Sequence, residues 1–325
     1  MKKIISILLA LIVTASAAAI AVSADGLRVL GDYTDDGKVT SDDAIFLLRS
    51  VLFPESYSLS AFGDFDGNGE VGSDDAIFLL RHVLFPDSYV LKTTAPYSEG
   101  LEYYLDGGYA WITGPGSFEG ADLNVPPEID GHTVIGVDFG AFEDAAVTSV
   151  TLPAGVTTVK DSAFADCESL VAVYLPEGIA VLDTEAFERC SSLPSAVIPA
   201  GVTSIEDCLF ADCRSLASVA IHSGVTHIGE WAFNDCDSLV TVTVPDGVTY
   251  INDCVFYCCD SLKSVYLPAG ITGIGSWAFN ACGELETIYF AGTRAQWESI
   301  EKGYCWDAWT GEYVDGGYKV VCADD

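Results

Sequence analysis

From Ile129 onward the chain repeats itself every 23 residues, and this period restricts the fold more than any other feature. Phe164, Phe187, Phe210, Phe233, Phe256 and Phe279 stand 23 residues apart, and Phe142 heads the series one residue short. Three residues after each lies a cysteine: Cys167, Cys190, Cys213, Cys236, Cys259 and Cys282, with Ala145 in the first repeat. Three further on come Leu170, Leu193, Leu216, Leu239, Leu262 and Leu285. A short alternating segment follows, as in Val173-Tyr174-Leu175, usually closed by proline with a glycine two residues later. An aliphatic pair, as in Ile179 and Leu182, completes the unit. No single unit can bury such a stripe, but stacked copies can, each covering its neighbour. The prediction is a solenoid of short strands and short helical turns. Ahead of it, Leu101 to Gly114 alternates about Asp106-Gly107-Gly108, which reads as a hairpin.

The repeat resembles the bacterial surface leucine-rich repeats of the BspA-like type over roughly residues 99 to 300. Within that stretch, Val125 to Gly131 and Ile288 to Trp297 look like the caps that a solenoid needs at its open ends. Residues 301–325 are read as a C-terminal cap or tail. The resemblance implies a non-catalytic module for protein binding or adhesion.

Eleven cysteines outside the cytoplasm would ordinarily suggest disulfides, but six occupy one column and point inward in parallel, a poor geometry for bridging. They are expected as buried free thiols. Cys208 and Cys254 share a second column two rungs apart, and Cys305 with Cys322 is the remaining possible pair. On the strands, residues alternating with the buried aliphatics should face solvent. One such column reads Thr151, Tyr174, Val197, Ala220, Thr243, Tyr266 and Tyr289; its neighbour reads Ser149, Ala172, Ser195, Ser218, Thr241, Ser264 and Thr287. Tyr174, Tyr266 and Tyr289 are the candidate ligand contacts, because aromatics dominate binding hot spots. None of the four histidines has metal or triad spacing, and no nucleophile-elbow or zincin motif occurs. His222 stands where the repeat usually has proline, so a loop role is expected.

A second, shorter repeat precedes the linker. Asp32 to Asp43 and Asp64 to Asp75 are twelve-residue acidic loops, 32 residues apart, each followed by Ala-Ile-Phe-Leu-Leu-Arg. A calcium loop needs oxygen donors at positions 1, 3, 5, 7 and 12 and a glycine at position 6. The first copy offers Asp32, Thr34, Asp36, the Lys38 carbonyl and Asp43 around Gly37. The second offers Asp64, Asp66, Asn68, the Glu70 carbonyl and Asp75 around Gly69. Two Ca²⁺ sites are expected, the first weaker because Thr34 is a neutral ligand. The closing residue is Asp where a sensor EF-hand has Glu, and no helix-length segment precedes the first loop.

These loops resemble a type I-like dockerin of cellulosomes, the calcium-dependent plug that seats on a cohesin module of a scaffoldin. The resemblance implies cohesin contacts at loop positions 10 and 11 and on the following helix. Those positions are Ser41, Asp42, Leu48 and Arg49 in the first copy, and Ser73, Asp74, Leu80 and Arg81 in the second. Core packing is the alternative role for Leu48 and Leu80, which adjoin Leu47 and Leu79 on an amphipathic segment.

Residues 1–24, with Lys2 and Lys3, an apolar run from Ile4 to Val13 and a small-residue end at Ala24, have the plan of a secretory signal peptide. The expected order is therefore signal peptide 1–24, dockerin 25–91, linker 92–98, repeat domain 99–300 and tail 301–325. A formal charge of −34 argues against nucleic acid or an anionic membrane as partner. No membrane insertion is expected after signal cleavage. The fold class is mixed, a small α-helical calcium module followed by a repeat solenoid. The functional expectation is a secreted, non-enzymatic protein held at the cell surface through a scaffoldin. The solenoid's ligand is an unknown protein or glycan. Two alternatives are a polysaccharide-binding cargo, or a weak glycoside hydrolase or peptidase around Trp306 and Trp309.

Overall fold

The computed structural model describes residues 97–311 and 317–325. The chain divides between Pro96 and Tyr97, inside the expected linker. The signal peptide, both calcium loops and all eight expected cohesin contacts lie outside the described residues.

The predicted hairpin is present. Strands β1 (Glu102–Asp106) and β2 (Tyr109–Gly114) pair antiparallel with Asp106 opposite Tyr109. Gly107 and Gly108 carry the turn at φ of 59° and 89°, angles that a side chain disfavours. Strand β2 then runs parallel to β5 (His132–Val137), so the hairpin covers the first open edge of the solenoid. The two-residue β4 (Glu128–Ile129), within the segment expected to cap this end, pairs antiparallel with β5.

Beyond it the coil presents two rows of short strands. One row is β3 (Asp122–Asn124), β6 (Ser149–Thr151), β8 (Ala172–Tyr174), β10 (Ser195–Val197), β12 (Ser218–Ala220), β14 (Thr241–Thr243), β16 (Ser264–Leu267), β18 (Thr287–Phe290) and β20 (Lys319–Cys322). The other continues from β5 through β7 (Thr158–Val159), β9 (Val181–Leu182), β11 (Ser204–Ile205), β13 (His227–Ile228), β15 (Tyr250–Ile251), β17 (Gly273–Ile274) and β19 (Glu301–Lys302). Pairing along both rows is parallel and keeps the repeat register, with Val150 opposite Val173 and Thr241 opposite Ser264.

Between the rows lies a close-packed interior built from the sequence columns. The seven phenylalanines stack ring on ring, with centroids 5.4 to 5.8 Å apart and ring planes within 15° of parallel. The six column cysteines are buried and free, as expected. Each thiol donates to the carbonyl of a phenylalanine in the preceding coil, as Cys167 does to Phe142 at 3.1 Å and Cys282 to Phe256 at 3.0 Å. The leucine column is buried throughout.

One expectation needs correction here. The turns that carry the phenylalanines are not helical. Ser162, Phe164 and Asp166 donate their amides to Thr184, Ala186 and Glu188 of the next coil. The intervening Ala163 and Ala165 bond to carbonyls three residues back. Ser162 and Asp166 have φ of 55° and 58°, and every later repeat places left-handed residues at the same two positions. A left-handed residue every fourth position ends an α-helical ladder before it can propagate. Among the described residues the one α-helix is α1 (Arg294–Ser299), started by a reciprocal capping box between Thr293 and Gln296.

Residues 301–325, expected as a cap or tail, carry the last two described strands of the rows. Strand β19 pairs with β17 and β20 with β18. Trp306 meets Phe279 edge-on at 6.2 Å and ends the phenyl stack. Arg294 clasps the end of the chain through the Asp325 carboxylate, the Val320 carbonyl at 2.8 Å and its own amide on Asp324 at 2.7 Å.

Candidate binding surface

The outward face of the longer strand row was expected to expose Tyr174, Tyr266 and Tyr289. Tyr266 and Tyr289 are exposed, at 42% and 37%. Tyr174 is not: it is 7% exposed, as is Thr151 beside it in the same column. Strand alternation assigns a side chain to one face of a sheet but does not determine what lies over that face. The open part of the face is therefore the C-terminal part.

There Tyr266 and Tyr289 sit opposite each other on β16 and β18, with ring centroids 4.6 Å apart and planes 7° from parallel. That separation matches the spacing of neighbouring strands, so the rings stack along the solenoid axis. Each ring turns one face to the other, and the strand neighbours on the outer sides are Thr243 and Val321. Beside them runs an open depression of about 390 Å³ that crosses four successive strands. Its floor and walls are Thr243 and Val244, Tyr266 to Pro268, Tyr289 to Ala291 and Val321 to Ala323, with Asp246 as the one charged group lining it. Four rungs span roughly 14 Å between their outer strands, enough for an extended segment of about four or five residues lying across them.

The remaining candidates have structural roles. His222 accepts the Gly224 amide on Nδ1 at 3.0 Å, which leaves Nε2 to donate to the carbonyls of Pro199 and Val202 at 3.0 and 2.9 Å. It therefore ties its loop to the previous coil, as expected. Cys305 and Cys322 are both free. Trp306 is packed among Phe279, Trp297 and Tyr318, while Asp307 accepts the Tyr318 hydroxyl at 2.5 Å. Burial, reinforced by that bond, pushes the Tyr318 phenol far up. Among the described residues no three His, Cys, Asp or Glu side chains converge on a common metal position.

The turn ridge is acidic. Burial pushes the Glu188, Asp235 and Asp237 carboxyls upward, and Arg189 offsets part of the charge by pairing with Asp166 at 3.3 Å and Glu188 at 3.1 Å. Sequence reasoning did not single out the exposed aromatics of this ridge, Trp231 and Trp277. Their signal was present: both occur in an Ile-Gly-x-Trp-Ala-Phe-Asn segment, 46 residues apart.

A coil of short parallel strands with phenylalanine, cysteine and leucine columns, and no helical layer among the described residues, defines a leucine-rich-repeat solenoid. The chain belongs to the BspA type leucine rich repeat family, whose repeats match residues 135–242 and 181–301 in six copies, together just over half of the chain. Among solved structures it is similar to a leucine-rich repeat protein of T. pallidum, at 24% identity over 70% of this chain and 97% of that one, with a TM-score of 0.47. A leucine-rich repeat protein from Bacteroides ovatus is 18% identical over 69% of this chain and 77% of that one, with a TM-score of 0.32. A leucine rich cell surface protein from Faecalibacterium prausnitzii is also 18% identical, over 65% of this chain and 98% of that one, with a TM-score of 0.30. No curated protein matches the chain.

Proposed function

We propose that this is a secreted, non-catalytic surface protein whose solenoid holds a protein ligand in the four-rung groove beside Tyr266 and Tyr289. The observation that carries the reading is the exposed stacked pair bordering a groove that crosses four successive strands. The phenol hydroxyls suit hydrogen bonding to an extended polypeptide laid along the groove. Leucine-rich-repeat architecture accords with this role.

Residues 25–91 serve, in this reading, as a calcium-loaded dockerin that seats the protein on a scaffoldin's cohesin. Asp32, Thr34, Asp36, Lys38 and Asp43 would hold one ion, and Asp64, Asp66, Asn68, Glu70 and Asp75 the other. Calcium would neutralise opposed carboxylates so that each loop can close.

The groove is tested by presenting the full chain to immobilised extracellular proteins and to insoluble glycans. Saturable binding to a protein, weakened about tenfold or more in the double variant Tyr266→Ala/Tyr289→Ala, is the expected result. Protein binding that the double variant retains in full would remove the groove from the account.

A further inference from the structure

One column of the turn ridge alternates large and small at every rung: Cys208, Trp231, Cys254, Trp277 and Cys305. The amides of Cys208, Trp231 and Cys254 donate to the carbonyls of Glu230, Asp253 and Ser276 in the next coil, at 2.9, 3.1 and 2.9 Å, which sets the register. All five residues are left-handed, with φ between 48° and 60°. Bulky residues rarely occupy that region. Here Trp231 and Trp277 are held on the outside, each 39% exposed, while Cys254 between them is buried. Two rings therefore stand on either side of a low rung.

The alternation is built into the backbone. Gly229 and Gly275 precede the tryptophans by two residues, and Asp207 and Asp253 precede the cysteines by one. Asp207 Oδ1 accepts the Glu230 amide and Asp253 Oδ1 the Ser276 amide, both at 2.7 Å. A Cβ on either glycine would strike the backbone of the aspartate beneath it. Glycine–tryptophan rungs thus interlock with aspartate–cysteine rungs, and the tryptophans recur at every second one.

Two rungs of parallel strand amount to roughly 10 Å. This is also the length of one disaccharide unit in an extended β-1,4-linked glucan, in which every second sugar presents the same face. We propose that Trp231 and Trp277 form a binding site for a neutral β-1,4-linked glycan chain running along the solenoid axis, each indole carrying one of two alternate sugars. Tyr257 supports Trp231 at 6.0 Å and 59°, and Tyr304 supports Trp277 at 5.7 Å and 88°. Neither indole lies flat against its neighbour. The carboxylates of Asp207, Glu230 and Asp253 flank the column and offer acceptors for sugar hydroxyls. The same charges disfavour uronate or sulfated polymers. The site is distinct from the groove beside Tyr266 and Tyr289.

The experiment is native electrophoresis of the full chain through gels containing hydroxyethylcellulose, laminarin or polygalacturonate. Retardation is expected in the first alone. Trp231→Ala and Trp277→Ala should each weaken it about tenfold or more, whereas Trp231→Tyr/Trp277→Tyr should keep most of it. If the alanine variants fail to fold, Trp231→Leu and Trp277→Leu, which keep bulk without a ring, decide the matter. Absence of retardation by the β-1,4 polymer, equal retardation by laminarin, or full retardation in the ring-less variants overturns the proposal. So does loss of retardation in Tyr266→Ala/Tyr289→Ala, which would place the glycan in the groove.

Discussion

At the residue scale the buried thiols are the most consequential groups, because burial moves their ionisation well above the ordinary value of 9.0. Desolvation pushes Cys167 to about 12, and raises Cys190, Cys213, Cys236, Cys259 and Cys282 as well. Below pH 9 these thiols are neutral in both folded and unfolded chains, so they give stability no pH dependence. Above pH 9 the unfolded chain releases their protons while the folded one retains them. Each thiol then costs the fold about 1.4 kcal/mol per pH unit until its folded value is passed. Thermal unfolding followed from pH 8 to 11 should show the melting temperature falling steeply above pH 9. Cys190→Ala/Cys236→Ala should reduce the slope due to the column by about a third, since two of six titrating groups are gone. A slope unchanged by that variant would mean the column is not the source. The parallel inward direction of these thiols was legible from the period alone. The burial of Tyr174 was not, because alternation fixes the face of a strand and leaves its covering open.

At the element scale, stacking carries the energy. Phe210 has a ring partner on each side, Phe187 and Phe233, both at 5.8 Å, whereas Phe142 has its partner Phe164 on one side. Phe210→Ala should cost about 3–5 kcal/mol in denaturant unfolding, and Phe142→Ala less, because the end of the stack loses one neighbour and not two. Equal losses at the two positions would show that burial alone, without ladder stacking, sets the cost. The hairpin, the phenylalanine column and the strand rows could all be read from spacing, since periodicity reports which side chains share a face. The turns could not. Their amphipathic spacing fits a helix as well as it fits a flat turn, and the deciding feature is backbone left-handedness at residues such as Ser162 and Asp166. The last coil was also hidden, because the bond from the Ala281 amide to the Ala308 carbonyl spans 27 residues where Cys258 to Asn280 spans 22, and Trp306 replaces the expected phenylalanine contact.

At the scale of the whole molecule the two repeats in the sequence imply two kinds of stability. The solenoid buries a continuous apolar core and is held by contacts between neighbouring coils, so its melting should not depend on calcium. In the segment proposed as a dockerin, closing the loops would bring together the acids at Asp32, Asp36 and Asp43 and at Asp64, Asp66 and Asp75, so on that proposal its folding should depend on the ion. Calorimetry on the full chain should therefore resolve two transitions. Free calcium at a hundred times its dissociation constant would stabilise a one-site unit by about 2.7 kcal/mol, and chelator would remove that contribution. The expected result is one transition that moves with calcium and vanishes in chelator, beside a second that stays in place. Asp64→Ala/Asp75→Ala should shift the first transition and leave the second alone. If neither transition responds to the ion, the dockerin reading fails, while the groove and the tryptophan column keep their own tests. If both respond together, the two parts fold as one cooperative unit, and the loops contribute directly to the stability of the coil.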